Sequence, residues 1–86
     1  MKLRGEFILR EAMDQILAIP VGETALKLNG MILLNDVSRV IFECLGEETT
    51  VDAIVDALTD QFEVTREEAK ADTEQFLQTL QAAELL

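Results

Sequence analysis

Eighty-six residues, 49% of them hydrophobic, are enough for one compact core and too few for two. With one cysteine and no histidine, the chain lacks the ligands of zinc, haem and iron–sulfur sites and the imidazole of a catalytic triad. A net charge of -10, from seventeen acidic and seven basic residues, argues against nucleic acid and anionic lipid, which are held through Lys and Arg. A neutral or basic partner is the easier expectation.

The single proline, Pro20, divides two styles of sequence. Before it, Phe7–Glu11 and Gln15–Ile19 are β-leaning runs, joined by Ala12-Met13-Asp14 as a hairpin of about three loop residues. Pro20 closes the second strand, because it cannot donate to a ladder. Val21–Thr24 turns, and Ala25–Leu28 reads as a short extended piece alternating Leu26 and Leu28. Asn29-Gly30 is a turn signal, and Met31–Leu34 reads as a third strand.

From Asn35 the period becomes helical. Asn35 is a good N-cap, and Val37, Val40, Ile41, Cys44 and Leu45 share one face up to Gly46, read as the C-cap. Thr49 or Thr50 caps the next helix, with Asp52 in its first turn and Val51, Ile54, Val55, Leu58 and Phe62 on its apolar side. Thr65-Arg66-Glu67-Glu68 has the capping-box pattern, opening a third helix to about Ala83. Its inner side carries Ala69, Thr73, Phe76, Leu77, Leu80 and Ala83. The expected fold is α+β: one domain over 1–86, with strands in about 7–34 and a three-helix bundle in about 36–84, resembling a winged helix-turn-helix.

No run of about twenty apolar residues offers a membrane span. The N-terminus lacks the apolar core of a signal peptide, and a lone thiol suits a reducing compartment, so a cytoplasmic protein is expected. Catalytic groups are scarce, and neither enzymatic activity, a metal nor a cofactor is expected. Asp52, Asp56 and Asp60 form a ladder one turn apart, which reads as a solvated face because no loop adds the further oxygens of a calcium site. Cys44 lies on a buried stripe without a basic neighbour, as a small core residue would. Ser38 differs from the phosphopantetheine-bearing serine of a carrier domain, which directly follows an aspartate; here Val37 intervenes. The third helix sets Arg66 and Lys70 against Glu67, Glu68, Asp72, Glu74 and Glu84, so DNA binding is not expected.

Met31–Leu34 is apolar without alternation, and periodicity leaves two readings open. Either both faces of the strand are covered, or it is an edge strand whose free amides and carbonyls accept a further strand. In the second reading the groove combines Met31, Ile32, Leu33 and Leu34 with Thr73, Phe76, Leu77 and Leu80 of the third helix.

Three stretches in this order carry a family likeness: Leu34-Asn35 with Ile41, Phe42 and Leu45; Thr50-Val51 with Ile54, Val55 and Leu58; and Val64 with Glu67, Glu68, Ala69 and Asp72. Over nearly its whole length the sequence resembles the PqqD-like family (coenzyme PQQ synthesis protein D), the recognition elements of ribosomal peptide-modifying pathways. Asp36 stands where Glu is frequent, and Phe42 where Trp is. The resemblance implies a non-catalytic adaptor with a winged-helix-like fold. Such an adaptor binds a precursor's leader peptide as a strand added to the third strand and presents it to a modifying enzyme, commonly a radical S-adenosylmethionine enzyme. An open edge strand also admits a homodimer. The alternative is an acidic interaction or regulatory domain docking a basic partner without leader binding.

Overall fold

The structure, a computed structural model, describes residues 1–28 and 30–86. It is α+β, as the order of periods predicts. Strands β1 (Phe7–Ala12) and β2 (Gln15–Pro20) form a hairpin, and β3 (Ile32–Leu34) pairs antiparallel with β2 in the order β1-β2-β3. Between β2 and β3 lies a short helix, α1 (Glu23–Lys27), and after β3 come α2 (Asp36–Cys44), α3 (Val51–Gln61) and α4 (Arg66–Ala82).

The hairpin is tighter than its sequence suggests. Ala12 pairs with Gln15, leaving a two-residue loop in which Met13 and Asp14 have φ of 51° and 67°. Positive φ at both central positions is the type I′ pattern that matches strand twist. Asp tolerates it and Met seldom does. Pro20 ends β2 opposite Phe7, where a missing N–H is harmless.

Ala25–Lys27 is helical, and of the expected extended piece only Leu28 is extended. Glu23, Ala25, Leu26 and Lys27 are good helix formers, and that preference overrides the alternation of Leu26 and Leu28. Gly22 enters the turn at φ 60°, which suits a glycine. The helix buries nothing, and Leu26 remains 87% exposed. The third strand begins at Ile32 rather than Met31. Of the expected Asn29-Gly30 turn, Asn29 lies outside the described residues.

The helix starts are as expected. Asn35 Oδ1 accepts from Ser38 N at 2.8 Å while Ser38 Oγ accepts from Asn35 N at 2.8 Å, so α2 begins with a reciprocal box. Thr50 Oγ1 accepts from Ala53 N at 3.2 Å, and Thr65 Oγ1 from Glu68 N at 3.1 Å. The Glu68 carboxylate accepts from the Thr65 hydroxyl, not from its backbone, so the second half of that box is replaced. The C-cap of α2 is Leu45, one residue before the expected Gly46. Beyond α4, Glu84 adopts φ 62° and Leu85 N donates to Leu80 O at 2.8 Å, a Schellman turn that folds Leu85 into the core.

Two apolar clusters result. One lies among the helices, around Ile41, Leu45, Ile54, Leu58, Ala69, Leu77, Leu80 and Leu85. The other joins sheet to helices through Ile16, Ala18, Leu34 and Phe42, with Phe7 meeting Phe42 edge to face at 5.3 Å. Phe42 lies off the apolar stripe read from α2, yet it is buried, because this helix has the sheet on one side and the bundle on the other. Phe76 of α4 packs against both clusters. The amino-terminal segment ties the molecule shut: Leu3 N donates to Leu45 O and Arg4 N to Leu85 O.

Candidate functional site

Strand β3 is short, three residues, and its pairing with β2 leaves its other side at the edge of the sheet. On an edge strand, alternate residues direct both N–H and C=O away from the neighbour, ready for another chain. Side chains alternate as well. Ile32 and Leu34 turn toward the core, whereas Leu33, opposite Leu17, is 61% exposed. The unbroken apolar run therefore has one buried and one open face.

Along this edge lies a cleft of about 540 Å³. Ile32, Leu33 and Leu34 form one wall. Asn35 and, from α2, Val37, Ser38 and Ile41 close one side, and Asp72, Gln75, Phe76 and Thr79 of α4 form the other wall. The cleft is apolar where Ile32, Val37, Ile41 and Phe76 meet, and polar along Gln75, Thr79 and Asp72. Asn35 and Ser38 are already engaged in the cap of α2.

The structure brings together Ile32, Leu33, Leu34 and Phe76 from the set chosen by sequence. It does not bring the others to the cleft. Met31 is 55% exposed ahead of the strand. Thr73, Leu77 and Leu80 are buried inside the bundle, where the Thr73 hydroxyl donates to Ala69 O at 2.7 Å. Two adjacent rows of α4 thus divide the work. Ala69, Thr73, Leu77 and Leu80 face the core, while Asp72, Gln75, Phe76 and Thr79, on average about 0.3 of a turn away, face the cleft. The second row repeats at i, i+3, i+4 and i+7. Asp72, Gln75 and Thr79 around Phe76 look like a solvated face in sequence, and these three, with Val37, Ser38 and Ile41, are the cleft residues that the periodicity does not reveal.

Other candidate groups have structural roles. Asp52, Asp56 and Asp60 are exposed, and Asp56 receives Arg66 at 2.7 Å, linking α3 to α4. Burial, with the Glu43 carboxylate beside it, pushes the Cys44 thiol up from its ordinary pKa, which suppresses the nucleophilic thiolate. Ser38 holds the start of α2.

A family model described as Coenzyme PQQ synthesis protein D (PqqD) matches residues 16–86. That span takes in β2 from Ile16 onward, β3, the cleft and all of the bundle. Among solved structures the chain is similar to TbiB1 in complex with the TbiA(beta) leader peptide, at 24% identity and a TM-score of 0.73. The match covers 100% of this chain and 94% of that one, a likeness of fold from end to end. Comparison with curated proteins gives no match.

Proposed function

The chain belongs to the PqqD family, and from that premise we propose that it is a non-catalytic adaptor that binds the leader segment of a ribosomally made precursor peptide. The leader adds as a fourth strand to the free edge of β3 and lies in the cleft against α4. The adaptor then presents the peptide to a modifying enzyme, such as a radical S-adenosylmethionine enzyme, in the cytoplasm. The observation that carries this reading is the coincidence of a free strand edge with an apolar cleft along it. The leader peptide held by TbiB1, a protein of the same fold, supports it.

The energetics suit a carrier that must also let go. Strand addition to a three-residue edge makes few ladder bonds, each worth about 0.5–1.5 kcal/mol net. Two or three apolar anchors buried against Ile32, Val37, Ile41 and Phe76 add about 1.5–3 kcal/mol each. Ordering the peptide and losing its translational freedom offset much of that sum. The expected affinity is roughly micromolar to sub-micromolar.

The test is a titration of the isotope-labelled protein with the leader encoded beside its gene, followed by backbone amide resonances. Residues 32–34 and the exposed row of α4 should shift together at roughly tens of micromolar peptide. Gln75→Trp, which fills the cleft from an exposed position, should weaken binding at least about tenfold while leaving the fold intact. A saturating leader that moves none of the amides of 32–34 would sink strand addition.

A further inference from the structure

Asp72 is the one charged residue lining the cleft among the described residues. No contact among the described residues accounts for it. It sits in the interior of α4, where aspartate is a poor helix former, and it caps neither end. The described ion pairs and side-chain hydrogen bonds of α4 engage Arg66, Glu68, Lys70, Thr73, Glu74 and Thr79, but not Asp72. Asp72 therefore lines the cleft with no ion pair or side-chain hydrogen bond among the described residues, in a molecule that already carries a net charge of -10.

A peptide strand between β3 and α4 covers that carboxylate and strips water from it. A covered carboxylate without a partner is penalised, and an acidic peptide residue there adds repulsion. A lysine or arginine removes both penalties. The spacing can be read from α4. Asp72 precedes Phe76 by four residues, a rise of about 6 Å. Two residues of an extended strand span about 6.7 Å and point to the same side.

Resting on the strand-addition reading above, we propose that Asp72 is a specificity residue: it selects peptides that carry lysine or arginine two positions from the apolar anchor packed on Phe76. The recognised element is an extended segment of the form apolar–x–basic, or its reverse, with both named side chains turned toward α4. The anchor supplies affinity, and the cation sets register along an edge whose ladder bonds are indifferent to sequence.

Selection of displayed random peptides of about twelve residues against the whole protein tests this, since an added strand needs no more length than that. Enriched peptides should carry Lys or Arg at the stated spacing, and the same selection against Asp72→Lys should enrich Asp or Glu there instead. For one enriched peptide, Asp72→Asn should weaken binding about three- to fivefold. Asp72→Lys should weaken it about tenfold or more. Asp72 is exposed, so both variants should keep the unfolding midpoint of the parent. Enriched peptides that shift the amides of 32–34 yet show no basic preference, or whose preference survives Asp72→Lys, overturn this inference and leave strand addition standing. Enriched peptides that bind without shifting those amides overturn both.

Discussion

Asn35 joins the two parts of the molecule that make the cleft. Its neighbour Leu34 ends β3 as a buried residue, and its own side chain starts α2 by accepting from Ser38 N at 2.8 Å. The Ser38 hydroxyl returns the bond to Asn35 N, so two otherwise orphaned donors are satisfied within one turn. Asn35→Ala removes the acceptor and should lower unfolding stability by about 1 kcal/mol, and by no more than about 2. Urea denaturation measures this directly, as a lower midpoint with an unchanged slope. The loss is a fraction of the roughly 5–15 kcal/mol of an ordinary domain, so the variant should still fold. A loss below a few tenths would mean that β3 and the bundle hold the start of α2 without the cap.

Element by element, α4 makes the sharpest separation between holding the fold and facing a ligand. The sequence pattern places Thr73 with the cleft, but it is fully buried and its hydroxyl bonds inside its own helix. Thr73→Val keeps the shape and gives up one modest hydrogen bond, so stability should change by about 1 kcal/mol or less. Affinity for the leader should stay within about twofold, because this side chain is buried and does not line the cleft. Isothermal titration beside thermal unfolding separates the two effects, and a large loss of affinity at constant stability would move the binding surface to the inner row.

What the sequence shows of these elements and what it hides have a physical basis. Helix starts at Asn35, Thr50 and Thr65 were readable because a side chain there has one job, accepting from a backbone N–H two or three residues on. Strands β1 and β2 were readable from β-rich runs and Pro20. Helix α1 was not, since five residues allow alternation and helix propensity to compete and no burial decides between them. Phe42 is buried off the single stripe because a helix between a sheet and a bundle has two apolar sides, while a stripe assumes one. The cleft face of α4 was hidden for the opposite reason. A surface that waits for a peptide mixes Gln75, Thr79 and Asp72 with Phe76, and so resembles one that meets only water.

Charge acts at the scale of the whole molecule. Arg39 is shared between Glu11 and Glu43, Arg66 holds Asp56, and Lys70 reaches Glu74, all on the surface. Each such pair is worth about 0–1 kcal/mol, and salt weakens it. Against them stands the mutual repulsion of a chain at -10, which salt also weakens. Raising ionic strength from about 0.01 M to about 1 M shortens the screening length from about 30 Å to about 3 Å, enough to remove repulsion between helices as well as attraction within pairs. Repulsion involves more charges, so added NaCl should raise the thermal midpoint, and a fall would show that the ion pairs dominate. The same titration, repeated with leader bound, separates two ways of docking. Ladder bonds and buried anchors depend little on salt, and a single contact at Asp72 accounts for only about a three- to fivefold loss of affinity. A basic partner spread over the acidic helices would lose far more, because every contact it makes is screened. A leader complex that weakens by about a hundredfold over this range would therefore assign binding to the charged surface and not to the edge of β3.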